Sequence, residues 1–129
     1  MQTFKKIIVV SQDDLDQLNH VNNVRYVQWV QDMAETHWLQ NATKEILDNY
    51  FWVLVNHHIE YKNEAVLGDC LKLKTYVSKS EGISSIRHVE ITNNTNGKLI
   101  VKSETKWCFM STNTKKPTRI PVEVAQLFD

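Results

Sequence analysis

The sequence predicts an α+β fold in which a five-stranded antiparallel sheet curls around one long helix. Three observations carry that prediction. Residues 23–41 repeat apolar side chains at helical spacing, and four later segments alternate with a period of two. The chain's three glycines, Gly68, Gly82 and Gly97, fall in the gaps between those four segments, where strands must turn. With 129 residues the chain makes one domain, 1–129. It can bury roughly two thirds of its extended surface, so a core needs neither disulfides nor metals.

In chain order, residues 4–11 are apolar and β-branched enough for a first strand. A polar stretch from Gln12 to Asn23 follows. Val24, Val27, Val30, Ala34 and Trp38 then mark one helix face, widened by Trp29, Met33 and His37. So wide an apolar arc predicts cover by other structure, with Asn22 or Asn23 as N-cap. A short second helix is expected near Thr43–Asn49.

From Phe51 the period changes to two. Phe51, Val53, Val55, His57, Ile59 and Tyr61 share one parity, as do Leu71, Leu73 and Val77. Ile83, Ser85, Arg87, Val89 and Ile91 form the next run, and Leu99 to Phe109 the last. Lys72 and Lys74 fall on the opposite, water-facing parity. Asn96-Gly97 predicts a tight primed hairpin turn. A sheet of this kind leaves open edges, so the expectation is a homodimer or homotetramer that pairs them.

Composition excludes several chemistries. Glycines fourteen and fifteen residues apart cannot write G-x-G-x-x-G, a P-loop or a G-x-S-x-G elbow. Fifteen basic and fifteen acidic residues cancel, which disfavours nucleic acid as a partner. The zero hides a split: residues 1–60 hold four Lys/Arg against eight Asp/Glu, and residues 61–129 hold eleven against seven. Cys70 and Cys108 form no C-x-x-C motif and read as buried fillers in a reducing compartment. No signal-peptide core precedes Ser11, and the longest aliphatic run there, Ile7 to Val10, is far below a membrane span. The expectation is a cytoplasmic protein with no membrane partner.

The chemically informative segment is Asp14-Leu15-Asp16-Gln17-Leu18-Asn19-His20-Val21-Asn22-Asn23-Val24-Arg25-Tyr26-Val27-Gln28-Trp29. It sets carboxylates, an imidazole and carboxamides directly before the helix. First-turn amides there lack intrahelical partners and carry partial positive charge. A carboxylate, an imidazole and oxyanion donors in one loop suit hydrolysis of an activated carbonyl. A calcium loop fails, because Asp14-x-Asp16-x-Leu18 has no third oxygen ligand and no glycine. His57 and His58 are adjacent, so a strand would point them to opposite faces. No metal and no cofactor is expected.

The pattern D-x-D-x-x-x-H-V-N-N-x-x-Y-x-x-W, residues 14–29, resembles the signature of hot-dog-fold thioesterases. It is similar to the 4-hydroxybenzoyl-CoA thioesterase family and to acyl-ACP thioesterases. The resemblance extends through Ile59-Glu60-Tyr61, Gly68-Asp69 and the closing Pro117-Thr118-Arg119-Ile120-Pro121, across nearly the whole chain. It implies a thioesterase acting on acyl-CoA or acyl-ACP. Asp16 would be the catalytic acid, attacking the thioester carbonyl or activating water. The backbone amide of Asn23 would receive the thioester oxygen, and His20 would orient or polarise. Asn23 would also steady the loop through its side chain, with Tyr26 and Trp29 lining the acyl pocket.

Two positions depart from the family pattern. Asn19 stands where many CoA-type relatives have glycine, so the turn there must use an asparagine at positive φ. Leu18 stands where acyl-ACP enzymes have an asparagine, which weighs against the complete ACP-type residue set. A carrier's phosphates need basic partners, and Arg87, Lys115, Lys116 and Arg119 are the candidates. The competing reading is a non-catalytic acyl-thioester-binding or assembly module of the same fold. A hot-dog dehydratase is disfavoured, because no H-F-P-x-x-P-G-type segment occurs.

Overall fold

The computed structural model describes residues 1–129. Strand β1 (Thr3–Val9) leads through a single 3₁₀ turn, Gln12–Asp14, to helix α1 (Asn23–Asn41) and the short α2 (Lys44–Asn49). Strands β2 (Tyr50–Tyr61), β3 (Cys70–Glu81), β4 (Ser84–Asn93) and β5 (Leu99–Ser111) follow, and α3 (Val122–Ala125) closes the chain. The strands form one sheet in the order β1-β3-β4-β5-β2, with every neighbouring pair antiparallel. No helix is long and apolar enough to cross a membrane.

Helix α1 has the bounds its periodicity predicts, and β3, β4 and β5 meet it with the expected parity. Strand β2, by contrast, carries a bulge between Leu54 and Asn56. Tyr50 and Trp52 therefore pack inward before it and His57 and Ile59 after it, against the single parity expected from Phe51 to Tyr61. Val30 and Met33 of α1 pack on Leu71 and Leu73 of β3, Val89 and Ile91 of β4 and Val101 of β5, all in one buried cluster. Beyond the far end of α1 a second cluster joins Phe109 of β5 to Ile46, Ile120 and Val124, with Trp38 and Trp52 against it. The outer face is polar along the middle of β3, β4 and β5, where Lys72, Lys74, Glu90, Lys102 and Glu104 lie. Tyr76 stacks on His88 with ring centroids 5.0 Å apart, and Lys74 lies 5.6 Å above the Tyr76 ring. Tyr76 and His88 are a directly opposed cross-strand pair of the kind that holds register in a solvated face, and Lys74 adds a contact along the same strand.

Strand β1 stops at Val9, short of Ser11. The next residue, Val10, leaves the ladder: its amide donates to the Asp69 carbonyl (2.9 Å) and its carbonyl accepts from Gly68 (3.0 Å).

The turns also differ from expectation. Gly82-Ile83 makes the two-residue turn, with only Gly82 left-handed (φ 64), as in hairpins that place glycine first. Asn96-Gly97 lies instead in a longer β4–β5 loop, where Gly97 (φ 75) but not Asn96 takes positive φ. The Asn93 carboxamide explains this: its oxygen accepts from the amides of Thr95 (2.9 Å) and Asn96 (3.2 Å), building an Asx turn. That side chain competes with the tight primed turn and wins.

Candidate active site

The loop before α1 is closed by its own backbone. Leu15 and Val21 bridge antiparallel, the Asp16 amide donates to the His20 carbonyl (2.8 Å), and Asn19 donates back to the Asp16 carbonyl (3.1 Å). So tight a reversal needs a left-handed residue at its tip. Asn19 supplies it at φ 61, as the missing glycine predicts. The loop is tied to the β2–β3 connection by a His20–Val66 bridge and by the Val21 amide on the Ala65 carbonyl (2.9 Å).

Within this frame the two aspartates of the motif do different work. Asp14 is committed to structure: its carboxylate pairs with the Arg25 guanidinium (2.9 Å) and accepts from the Ser11 amide (2.8 Å). Asp16 is half committed. Its Oδ1 accepts from the amides of Leu18 (2.9 Å) and His20 (3.2 Å), while Oδ2 has no partner in the chain. The carboxylate is therefore aimed by the loop, with one oxygen free of any partner in the chain, beside an open depression lined by Leu15, Gln17, Leu18 and Asn22.

Asn22, not Asn23, caps α1, since its side chain accepts from the Val24 amide (2.9 Å). The Asn23 amide donates to no group of the chain. It is the orphan first-turn donor that an oxyanion would need. The Asn23 side chain is exposed and makes no hydrogen bond, so the loop is steadied by Asn22 and Asp16 instead. Asn22→Ala is expected to cost about 1 kcal/mol of stability through the lost cap. Urea unfolding of the two proteins measures it.

The His20 imidazole turns away from Asp16 and pairs through Nε2 with Glu64 (3.2 Å) on the β2–β3 connection. Only the His20 backbone amide reaches the Asp16 carboxylate. Glu64 was not singled out by the sequence. It lies in the tract that follows Tyr61, and no local period marks it.

Tyr26 is a core side chain, 3% exposed. Burial pushes its phenol up to about 12, and its ring meets those of Trp29 (5.6 Å) and Tyr61 (5.9 Å). It supports the helix start from within, and Trp29, half-buried, packs against the same core.

The basic candidates separate. Lys115, Lys116 and Arg119 are exposed beyond the end of β5, and Lys115 Nζ lies 5.8 Å above the Phe51 ring. Arg87 does not join them, contrary to the expectation of a carrier contact. It is 6% exposed on the inner face of β4, because it shares parity with Ser85, Val89 and Ile91, which face the core. There its Nη1 donates to His37 Nδ1 (2.9 Å) and Thr75 Oγ1 (2.9 Å). The accepting role of Nδ1 puts the His37 proton on Nε2, which donates to Gln2 Oε1 (3.0 Å).

The family model described as the thioesterase-like superfamily matches residues 10–128. The chain belongs to that superfamily. The YbaW probable thioesterase of Escherichia coli superposes with a TM-score of 0.86 at 25% identity, over 95% of this chain and 94% of that one. Slr0204 of Synechocystis, a 1,4-dihydroxy-2-naphthoyl-CoA thioesterase, gives 0.84 at 17% identity, covering 98% and 95%. The hot-dog fold expected from the motif is thus the fold found. Among curated sequences, a chloroplastic acyl-[acyl-carrier-protein] hydrolase of Cuphea viscosissima is 28% identical over 75 residues, 58% of this chain. The match spans only 18% of that longer relative.

Proposed function

We propose that this member of the superfamily hydrolyses acyl thioesters, acyl-CoA foremost and acyl-ACP as the alternative carrier, to the free acid and the thiol. The observation that carries the reading is the closed 15–21 loop. It presents the unpartnered Oδ2 of Asp16 next to a helix start whose Asn23 amide is also unpartnered. An acyl thioester lying across the two would offer its carbonyl carbon to Asp16, or to a water that Asp16 deprotonates. Its oxygen would then sit on the Asn23 amide as charge develops. Collapse expels the thiolate, which takes up a proton. When water is the nucleophile this gives the acid directly; when Asp16 is, it leaves an acyl-Asp16 anhydride that a second step with water cleaves to the acid and the free carboxylate. The paired His20 and Glu64 stand beside this step and orient the loop.

The carrier's phosphates call for Lys115, Lys116 and Arg119, which lie at the other end of β2 from the Asp16 loop. Two copies joined along β2 resolve that separation. This edge strand exposes Val53, Leu54 and Val55 (42%, 37% and 54%), apolar surface that an open edge does not ordinarily leave to water. Antiparallel pairing of β2 with itself sets the Phe51 end of one copy beside the Tyr61 end of the other. The basic loop of one copy then faces the carboxylate of its neighbour, and the acidic and basic halves of the chain come together in the dimer.

Thiol release from acyl-CoA esters of graded chain length and from an aromatic acyl-CoA tests the activity. Turnover of at least one series supports hydrolysis. Binding without release of thiol from any of them indicates the non-catalytic module instead. Replacing Lys115 and Lys116 together by alanine is expected to raise KM for the preferred acyl-CoA about tenfold, through lost charge-assisted contacts. It should leave the KM for a truncated pantetheine thioester unchanged. Equal effects on both substrates would remove the lysines from carrier recognition.

A further inference from the structure

A second pocket, open to solvent on one side, lies toward the far end of α1 from Asp16. It is a cavity of about 400 Å³ between the helix and the sheet, walled by Trp38 and Leu39 of α1, Trp52 of β2 and Trp107 of β5, with Arg87 of β4 at its inner wall. With a rise of about 1.5 Å per residue, Trp38 lies roughly 22 Å along the helix axis from Asn23. A ligand held here by Arg87 is not the bond presented to the Asp16 loop of the same chain.

Arg87 is the unusual feature. Arg87 is 6% exposed, and an arginine so buried ordinarily has a carboxylate partner, because an unpaired buried charge is costly. No carboxylate pairs with Arg87. Glu35 borders the cavity but is exposed and makes no ion pair with it. The neighbours that Arg87 does have are neutral: His37 and Thr75 on Nη1, and the Phe128 ring 5.1 Å from Cζ. Nε and Nη2 donate to nothing in the chain. Yet every fully occluded side-chain polar atom has a partner, so these two groups reach open space, and the space Arg87 lines is the cavity. Burial pushes Arg87 down to about 10, which leaves it charged at neutral pH.

We infer that this cavity is a binding site for a small monocarboxylate with an apolar body, the carboxylate on Arg87 Nε and Nη2 and the body against the tryptophans. The planar fork of a guanidinium matches a carboxylate in two parallel bonds. Aromatic walls favour a hydrocarbon body over the hydrated remainder of a phosphate or a nucleotide. The volume lies within the roughly 300–1,000 Å³ of pockets that hold one small molecule. A thioester lacks the negative charge that the site recognises, so the site distinguishes an acid from its thioester.

Three of the chain's four tryptophans line the cavity, so their fluorescence reads occupancy without any need for enzymatic activity. Octanoate carries charge and body, octanamide the body alone, acetate and inorganic phosphate the charge alone. Octanoate is expected to change the emission saturably, with a Kd at least tenfold below those of the other three. Arg87→Met should bring octanoate and octanamide to equal, weak affinity. Ala34→Phe, which adds bulk to the cavity from α1 and leaves the Arg87 charge in place, should abolish the response to both. The inference is overturned if octanoate gives no saturable change, or if octanamide, acetate or phosphate binds as tightly. Unaltered octanoate binding by folded Ala34→Phe overturns it as well. Should either variant fail to fold, the four-probe series on the unaltered chain decides the matter alone.

Discussion

Asp16→Asn is expected to lower kcat for thioester hydrolysis by about 10³, within the range of about 10²–10⁴ that a positioned acid or base contributes, and to leave the fold and KM nearly unchanged. The substitution separates chemistry from architecture. Asparagine keeps Oδ1, so the amides of Leu18 and His20 still find their acceptor and the loop keeps its shape. What is lost is the second, unpartnered oxygen, replaced by an amide nitrogen that neither attacks a carbonyl nor takes a proton from water. Asp16→Ala is the less informative change, since it strands both amides and loosens the loop. Asp14→Asn makes the contrast: it weakens the Arg25 pair, and its effect should appear in stability more than in turnover. Hydrolysis by Asp16→Asn at the unaltered rate would take Asp16 out of the reaction.

Acidification from pH 7 to pH 4.5 is expected to remove about 2–3 kcal/mol of stability through His37 alone. Burial, and then the Arg87 charge beside it, push this imidazole down to about 4, against 6.5 in the open chain. The neutral ring fits its place, since Nδ1 must accept from a cation, and a protonated ring would set two positive charges together with no anion between them. Above pH 6.5 the contribution is present in full. As pH falls from 6.5 toward 4 the unfolded chain binds a proton that the folded chain refuses, and the contribution is lost. His57 acts in the same direction, its imidazole held below the usual range by burial and then by His58. Urea midpoints at the two pH values, for the unaltered chain and for His37→Gln, isolate the His37 share. Glutamine offers an acceptor to Arg87 and does not titrate, so its variant should lose distinctly less on acidification. Equal losses would assign the acid sensitivity elsewhere.

The legible and the illegible parts of this protein divide by the distance over which information travels along the chain. The helix over 23–41 was legible because its stripe repeats within a few residues, and the strands because alternation is equally local, though not the bulge at Leu54–Asn56 where β2 changes parity. Asn19 was legible as a left-handed position because the motif leaves no glycine there. The division of labour between Asp14 and Asp16 was not. Asp14 is taken by Arg25, eleven residues on, and nothing in the spacing says which aspartate keeps a free oxygen. His20 was expected beside the acid, yet its ring goes to Glu64, which reaches it only because the β2–β3 connection folds back against the loop.

Arg87 shows the difference most sharply. Its parity with Ile83, Ser85, Val89 and Ile91 was visible and assigned it to an apolar face, while its charge suggested a phosphate outside. Parity prevailed, because a strand cannot turn one side chain through the sheet without breaking the ladder on both sides.

By itself, then, the sequence determined the element order, the faces of α1 and of β3, β4 and β5, the turn at Asn19 and the motif that joins this chain to the thioesterase-like superfamily, but not the bulge that exchanges the faces of β2. Those follow from preferences that each residue exercises with its near neighbours. The tertiary structure alone decided which aspartate oxygen is free, what His20 pairs with, and that Arg87 meets His37 across fifty positions at the wall of an aromatic cavity. Such contacts exist only once helix and sheet have closed on each other, and no local period encodes where two separately formed faces will meet.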